Sequence, residues 1–504
     1  MLSKISSAVL DGIKAAIVQV EVNIGNGLPE FHVVGLADRA VKEASERVRP
    51  ALENSGFTFP FGRIVVNIAP ASLKKRGSLL DLPMAIGIMS ASKIISPINI
   101  NCCGVIGELS LDGALHHADG VLPMVMAMKE SGFKSVILPS SNAREAGLVG
   151  GIDIFPAENL RQVSDHISGA KEICHWSGTF QKNVGCCTEN SGDYADVKGQ
   201  EMSKRAITIA AAGGHGLLMT GSPSTGKTML ASRLTSILPP MTKEEITQVT
   251  SIYSVSGKLS PYIPFVTQRP FRHPHHRITQ PALIGGGLTP KPGEVTLASG
   301  GVLFLDELCE FESGLIECLR QPLEERKVTV ARNGGVYEFP ANFIFIAATN
   351  PCPCGFYGDK EHECKCSEYQ IRRYRSKISG PIMDRIDMHL DLKAIKYDEL
   401  KTRHCTSSSE MMKCVTRARQ RQTERFGHGS TELNGRIKDS DMDNYISISN
   451  ECDQLLKNFY EKMKLSPRSL SKVKKVARTI ADIDDSIEIE TQHIAEAIQY
   501  RKKF

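Results

Sequence analysis

The sequence lacks the features that would place a chain in a membrane or in an oxidising compartment. No apolar run approaches the roughly 18 residues that cross a bilayer, so no membrane span is expected. Asp11 and Lys14 interrupt the apolar N-terminal segment, which excludes the uncharged core of a secretory leader. The cysteines number 14 but follow no regular spacing, so they predict reduced thiols in the cytoplasm rather than a disulfide framework.

An excess of charge of one sign is also missing. The formal net charge is only +5, from 61 basic and 56 acidic side chains. A surface with this balance has no uniform attraction for nucleic acid, so any such contact must come from local basic segments. The 41% hydrophobic and 23% charged residues are ordinary for a globular chain, and 504 residues allow about three domains.

The most informative stretch is GLLMTGSPSTGKTMLASRLTSIL, at 216–238. Its first five residues predict a buried strand, the next eight fit G-x-x-x-x-G-K-[ST], and apolar residues follow at helical spacing. Backbone N–H groups of such a loop hold phosphate oxygens, Lys227 reaches the outer phosphates, and the hydroxyl of Thr228 can bind Mg²⁺. The predicted nucleotide-binding residues are Gly221, Ser222, Pro223, Ser224, Thr225, Gly226, Lys227 and Thr228.

Two further buried strands carry polar residues at their ends. VLFLDEL at 302–308 supplies Asp306, expected to hold Mg²⁺ through water, and Glu307, expected to polarise the attacking water. NFIFIAATNP ends in Asn350, which could bond the attacking water or the terminal phosphate, or simply cap a turn. The sequence therefore predicts a nucleotide site built from several strand ends.

More residues separate Lys227 from Asp306 than a strand–helix–strand unit needs, so an insertion is expected there. It contains the basic, glycine-rich segment RPFRHPHHRITQPALIGGG at 269–287. Three interpretations stay open: a metal site, a mobile loop that contacts a polyanion, and a plain surface loop. Pro274 interrupts the three histidines and no carboxylate is nearby, which disfavours the metal.

Four cysteines form two C-x-C pairs separated by nine residues that include two glycines. Four thiolates on one short loop suit tetrahedral Zn²⁺, although free thiols and a redox pair remain open. The predicted ligands are Cys352, Cys354, Cys364 and Cys366.

Patterning divides the chain into four segments. Residues 1–168 alternate strand and helix signals and predict an α+β domain, and 169–192 predict a linker because they lack periodicity. Residues 193–396 predict the nucleotide-binding α/β core, within which VTVAR–NGG–VYEFP is a hairpin with an Asn-Gly turn. Residues 397–504 predict helices that begin at Ser, Asn or Thr.

The assembled residues carry a family resemblance. The most specific stretches are FHVVGLADRAVKEASERVR, GELSLDG, DVKGQ, RPFRHPHH, GVLFLDEL, NPCPCG, SGPIMDRIDMHL and VARTIADI. The chain resembles AAA+ ATPases, and more narrowly the ComM/YifB family of magnesium-chelatase-like proteins, essentially from end to end. The resemblance implies an α/β AAA+ P-loop core with a helical lid, preceded by an α+β Lon-protease-like domain similar to ribosomal protein S5 domain 2.

Roles implied by the resemblance match residues of this sequence. They are Lys227 and Thr228 as Walker A, Asp306 and Glu307 as Walker B, Asn350 as sensor 1, Arg385 as an arginine finger acting in trans, and Arg468 as sensor 2. Implied cofactors are ATP and Mg²⁺. The family is implied to form hexameric rings on DNA that drive branch migration during recombination and natural transformation, where recombination proteins are possible partners.

The predicted hairpin matches the family's pre-sensor 1 hairpin. In a ring with nucleotide between subunits, its tip is expected to face the pore and contact the DNA backbone. A hairpin that merely packs on its neighbour is the alternative. The predicted DNA-binding residues are Arg332, Asn333, Gly334 and Gly335.

Two departures from the related patterns matter. Ser224 stands where the phosphate loop of the family it resembles has a glycine. If that position needs a positive φ, the serine should weaken phosphate binding modestly. Leu79 and Leu122 stand where Lon proteases carry their serine and lysine, so proteolysis is not expected.

Two other functions compete with a DNA motor. The first is the ATPase subunit of a metal chelatase, which is disfavoured because no D-x-S-x-S pattern is present. The second is an ATP-dependent protease, which is disfavoured because the serine and lysine are missing.

Overall fold

The computed structural model describes the following residues, of which Arg332 is described by its backbone alone: 2–75, 77–96, 100, 102–178, 192–287, 290–332, 335–359, 361–394, 405–427, 430, 432–463 and 466–501. Within them, no helix is long and apolar enough to cross a membrane.

The N-terminal part is built around a mixed sheet. Its strands are β1 (Leu2–Asp11), β2 (Lys14–Gly25), β3 (Glu30–Val34), β4 (Arg63–Ala69), β5 (Cys103–Val105), β6 (Glu108–Leu109), β7 (Leu115–His116), β8 (Ser135–Pro139) and β9 (Asp153–Ala157). In the described chain, seven of them form one sheet in the order β3-β4-β2-β1-β5-β8-β9, and β6 pairs with β7. Gly12, at φ +67°, makes the tight turn that sets the β1–β2 register from Leu2↔Asn23 to Asp11↔Lys14.

Helices cover this sheet. They are α1 (Arg39–Lys42), α2 (Ala44–Asn54), α3 (Asp81–Ala91), α4 (Val121–Glu130), α5 (Ala143–Ala146) and α6 (Leu160–Ile167). Apolar side chains of α3 and of the sheet, such as Ile86, Val20 and Ile64, pack into one core from which solvent is excluded. The predicted alternation of strands and helices in this part is therefore confirmed.

The central part contains a parallel sheet. Its strands and neighbours are β10 (Leu217–Gly221), β11 (Phe271–Arg272), β12 (Gly285–Gly286), β13 (Lys291–Pro292), β14 (Val302–Leu305), β15 (Lys327–Arg332), β16 (Gly335–Pro340), β17 (Ile344–Thr349) and β18 (Met388–Leu392). Among the described residues, five strands run parallel in the order β11-β14-β17-β10-β18. Their carboxyl ends therefore meet at one edge, where ligands bind in open parallel sheets.

The helices around this sheet are α7 (Glu201–Gly213), α8 (Lys227–Ser232), α9 (Lys243–Val255), α10 (Gln280–Ile284), α11 (Glu294–Leu297), α12 (Ser313–Cys318), α13 (Arg320–Glu325), α14 (Glu368–Arg375) and α15 (Gly380–Met383). The insertion predicted between Lys227 and Asp306 contains α9, α10 and α11. Helix α9 also joins the two parts of the chain, because Ile246 and Val249 pack against Leu122 of α4. Leu122, which stands where Lon proteases carry their catalytic lysine, is thus part of a buried apolar contact.

The C-terminal part is helical, as predicted. Its helices are α16 (Ser408–Phe426), α17 (Met442–Tyr445), α18 (Asn450–Met463), α19 (Pro467–Ile483) and α20 (Thr491–Gln499). Ser466 caps α19 by accepting a hydrogen bond from the backbone N–H of Ser469 at 3.2 Å. Apolar residues of α16, α19 and α20 share one core with the parallel sheet, so the helical part is packed onto it.

Asp387 joins that sheet to the C-terminal helices. Its carboxylate accepts a hydrogen bond from the backbone N–H of Gly216 at 3.0 Å and lies 2.8 Å from Nζ of Lys472 on α19. Burial by itself would raise the pKa of Asp387, but the charge of Lys472 and the hydrogen bond with His215 outweigh it and hold the pKa well below its usual value.

Replacing Asp387 by Asn should therefore destabilise the chain by about 3 kcal/mol at pH 7, since it leaves Lys472 buried without a counter-charge. Because the native pKa lies below the unfolded value of about 3.9, this contribution is complete above that value and disappears as the pH falls through the native pKa. Urea unfolding of both proteins between pH 3 and 8 measures it. Asp391→Asn, an exposed position on β18, is the control. Equal stability of Asp387→Asn and wild type at pH 7 would contradict the assignment.

Candidate nucleotide-binding site

The phosphate loop joins β10 to α8, at the edge where the parallel strands end. Nζ of Lys227 donates to the carbonyl oxygens of Gly221 at 2.6 Å and Ser222 at 2.9 Å, and to Oδ1 of Asn350 at 3.1 Å. Burial lowers the pKa of Lys227, against the opposing charges of Asp306 and Glu307. The strand ends thus bring together the lysine, both acidic residues and the asparagine predicted from separate segments.

Ser224 has a left-handed backbone, with φ +64°, and Gly226 follows at φ +86°. This position therefore needs a positive φ. Weaker phosphate binding is expected on that condition, because serine replaces a glycine there. A left-handed conformation costs a non-glycine residue about 1–2 kcal/mol. The loop therefore carries local strain that glycine at 224 would remove.

Thr228 and Asp306 place two oxygen atoms side by side. Oγ1 of Thr228 donates to Oδ2 of Asp306 at 2.6 Å. A hydroxyl and a carboxylate oxygen are ligands of the kind that Mg²⁺ prefers, often with bound waters between metal and protein. The residues present therefore fit a magnesium ion, and Thr228 and Asp306 are the ones that would hold it.

Glu307 follows directly, and its side chain stands apart from that pair. Its own backbone N–H donates to Oδ1 of Asp306 at 2.9 Å, and its backbone is left-handed at φ +53°. The side chain is 54% exposed and therefore accessible to water, and Oε2 lies 3.7 Å from Nδ1 of His276. The histidine-rich segment thus reaches the nucleotide site, which its sequence did not indicate.

Two of the three arginines of that segment, Arg269 and Arg272, have carboxylate partners. Arg269 is bound by the carboxylate of Glu245 at 2.9 Å and by carbonyl oxygens, and Arg272 is bound by Glu294 at 2.5 Å. These cations are neutralised inside the protein. Two of the positive charges with which this segment could contact a polyanion are therefore already paired with carboxylates of the protein.

Arg385 and Arg468 meet on a carboxylate that the sequence analysis missed. Arg385 donates to Oε2 of Glu324 and, at 2.8 Å, to the carbonyl oxygen of Pro381. Nη2 of Arg468 lies 3.3 Å from Oε1 of the same Glu324. The hydrogen bond from Arg385 lowers the pKa of Glu324. Glu324 lies on α13, three residues before β15, so the two arginines are tied to the helix that leads into the hairpin.

The hairpin strands are as predicted: β15 and β16 pair antiparallel from Lys327↔Pro340 to Arg332↔Gly335. Phe339 and Val328 are buried in the core, whereas Gly335 and Val336 are exposed. The side chain of Arg332, and Asn333 and Gly334, lie outside the described residues, so the predicted DNA contact at the tip stays a prediction.

The four predicted cysteines form one cluster. Their Sγ atoms all lie within 4.8 Å of one another, with 3.4 Å between Cys352 and Cys354 and 3.6–3.7 Å from these to Cys364. Four sulfurs at about 2.3 Å from a tetrahedral Zn²⁺ would be roughly 3.8 Å apart. A hydrogen bond from the backbone of Phe356 lowers the pKa of Cys354 to about 6. The arrangement fits a zinc ion, with the sulfurs of Cys352, Cys354, Cys364 and Cys366 as its ligands.

Comparisons with known proteins agree with this geometry. Family models match residues 20–142 ("Subunit ChlI of Mg-chelatase"), 193–400 ("Magnesium chelatase, subunit ChlI") and 405–501 ("Magnesium chelatase, subunit ChlI C-terminal"). Competence protein ComM of Haemophilus influenzae is 39% identical over 97% of this chain and 95% of its own, and YifB of Salmonella typhimurium is 38% identical over 97% and 95%. Lon protease 2 of Bacillus subtilis is 32% identical over 29% of this chain and 27% of its own.

These similarities, together with the parallel sheet, confirm the fold predicted from the sequence, an AAA+ P-loop core with a Lon-like N-terminal domain.

The geometry separates binding from turnover. Lys227→Ala should lose most nucleotide affinity, because it removes the cation that reaches the outer phosphates. Glu307→Gln should bind nucleotide normally and lose turnover by about 10²-fold or more, because only the water-positioning carboxylate is removed. Titration with a fluorescent ATP analogue and a phosphate-release assay measure the two effects.

Two exposed residues of the same type serve as controls for these variants, Lys258→Ala and Glu310→Gln, and both should behave like wild type. Equal ATP affinity of Lys227→Ala and wild type would show that the phosphate loop is assigned wrongly.

Proposed function

Because the chain belongs to the ComM/YifB family of magnesium-chelatase-like AAA+ ATPases, we propose that it is a hexameric, cytoplasmic motor that uses ATP to move branched DNA. Family membership supports ATPase activity, and it implies ATP and Mg²⁺ as substrate and metal. The proposed task is branch migration in homologous recombination, including the recombination of incoming single strands in natural transformation. The relative's designation as a competence protein supports this choice.

The observation that carries the proposal is the contact between Lys227 and Asn350, 3.1 Å across the ends of β10 and β17. It places the proposed sensor beside the cation that would bind the outer phosphates. A side chain that touches both the lysine and the last phosphate can distinguish ATP from ADP. Movement of β17 can then be coupled to hydrolysis, which is what a motor requires.

In the proposed reaction, a water molecule attacks the γ-phosphorus in line with the leaving ADP. Glu307 orients this water and accepts its proton, and Asn350 holds the terminal phosphate. Thr228 and Asp306 would hold Mg²⁺, which neutralises charge on the β- and γ-phosphates when bound. Arg385 acts on the nucleotide of the neighbouring subunit, where such an arginine contributes roughly 10³–10⁵ in rate in other NTPases.

Both arginines are bonded to Glu324, so formation of the ring must change these bonds before Arg385 can reach a neighbouring phosphate. Arg468, which is 58% exposed, reports on the nucleotide of its own subunit in this proposal. Since Glu324 lies on the helix that leads into the hairpin, the same helix connects the arginines with the proposed DNA contact.

For the DNA contact itself we favour the hairpin over the histidine-rich segment. Arg269 and Arg272 of that segment are engaged by Glu245 and Glu294. The end of the hairpin is exposed at Gly335 and Val336, and small residues allow a phosphate chain to approach the backbone closely. Arg332 would add one cation per subunit.

A second candidate function is the ATPase subunit of a magnesium-chelatase-type complex, favoured by the three matching family models. The two functions differ in what accelerates hydrolysis. A chelatase motor would respond to the other subunits of its complex, whereas the proposed motor responds to DNA.

Arg332→Ala tests the DNA contact directly. It should leave basal ATP hydrolysis intact, weaken binding to single-stranded DNA, lower the slope of log affinity against log salt concentration by about 1, and abolish movement of a labelled four-way junction. Lys327→Ala, at the base of the same hairpin and paired with Glu338, is the control and should keep all these properties. If rings of Arg332→Ala move junctions at the wild-type rate, the hairpin is not the DNA-contacting element.

A further inference from the structure

The cysteine cluster is built directly onto the phosphate loop. Asn350, which contacts Nζ of Lys227, lies only two residues before Cys352, the first and most buried of the four cysteines. A metal that fixes the sulfur of Cys352 therefore also fixes the chain next to the proposed sensor.

A carboxylate makes the second connection. Oγ of Ser222, in the phosphate loop, donates to Oδ2 of Asp359 at 2.7 Å. The other oxygen of Asp359 accepts the backbone N–H groups of Glu361 at 2.8 Å and His362 at 3.2 Å. Asp359 thus bonds both to the segment between the two C-x-C pairs and to the loop that would hold phosphate.

Close packing makes the third connection. Gly355 follows Cys354 with φ +88°, and a Cβ added there would lie 2.7 Å from Cδ of Pro223, which is closer than real Cβ atoms approach. The backbone of the cysteine segment and the ring of the phosphate-loop proline are therefore in direct contact. Displacement of one must displace the other.

The described part of 351–366 contains no helix or strand, so few backbone hydrogen bonds hold this segment. A bound metal would join its two ends by four bonds. Removal of such a metal would take away the support that holds Asp359 and Gly355 against Ser222 and Pro223.

We propose that Zn²⁺ at the cysteine cluster positions the phosphate loop, so that zinc and nucleotide each strengthen the binding of the other. Asp359 and Gly355 are positioning residues in this account, since they act through Ser222 and Pro223. The coupling rests on the proposed nucleotide and zinc sites. Coupling energies between sites in proteins usually correspond to about 5- to 150-fold in affinity, and they act equally in both directions.

The experiment uses the full chain purified without chelator. Wild type should hold about one Zn²⁺ per chain by metal analysis. The variant Cys354→Ser with Cys366→Ser should hold none and should bind the fluorescent analogue mant-ADP about tenfold more weakly. Cys318→Ser with Cys414→Ser, at two other partly exposed cysteines, is the matched control and should keep both properties.

A second variant guards against misfolding. Asp359→Ala keeps all four sulfurs, so it should retain zinc, yet it should bind mant-ADP more weakly because the bond to Ser222 is gone. In the reverse direction, saturating ADP should raise the equilibrium affinity of wild type for Zn²⁺ about tenfold, measured by competition with a chromogenic chelator, and this gain should be lost in Asp359→Ala.

Two results would overturn the coupling: wild type without zinc, or equal mant-ADP affinity of wild type before and after zinc is removed by chelator. If wild type binds no nucleotide in either state, the proposed function fails and the coupling fails with it. Normal nucleotide binding that ignores zinc removes the coupling alone and leaves the proposed function in place.

Discussion

Hydrogen bonding between neighbouring parallel strands is the constraint on which the candidate site depends. Thr220 of β10 lies opposite Thr349 of β17, and Leu305 of β14 lies opposite Ala347. Because the strands run in one direction, the residues that follow them are delivered to one edge of the sheet. Lys227, Asp306 and Asn350 meet there although long insertions separate them in the chain. A slip of one residue in any of these strands would turn the side chains away from one another.

A second fixed point connects this edge with the rest of the molecule. Asp387 binds the backbone at the start of β10 and Lys472 of α19, so the strand that leads into the phosphate loop is tied to the C-terminal helices. Two residues before it, Arg385 reaches Glu324, which also binds Arg468 of α19. The sheet, the C-terminal helices and the helix before the hairpin are therefore linked by charged groups. We therefore expect motion of one of them to be transmitted to the others.

The phosphate loop, the Walker B strand and the cysteine spacing could be predicted because each is a short pattern with its own chemistry. The cysteine spacing alone left zinc, free thiols and a redox pair open. The structure adds that the four sulfur atoms lie within 4.8 Å of one another. Glu324 could not be found, because its partners Arg385 and Arg468 are 61 and 144 residues away and no local pattern marks an ion pair. The same holds for Ser222 and Asp359, 137 residues apart. In the segment at 269–287 the positive charge is visible in the sequence, but the carboxylates that bind Arg269 and Arg272 are not, because they lie 24 and 22 residues away.

We propose that DNA stimulates ATP hydrolysis by this protein, and the rate of hydrolysis in the presence of DNA is the most direct test. Steady-state phosphate release should be measured at fixed salt with no DNA, with single-stranded DNA and with a four-way junction. The Glu307→Gln variant, which should bind ATP without hydrolysing it, gives the background rate. We expect both DNA substrates to raise the rate severalfold above the DNA-free rate, and added salt to remove the increase. A hydrolysis rate that is the same with and without either DNA, in protein that binds ATP, would contradict it.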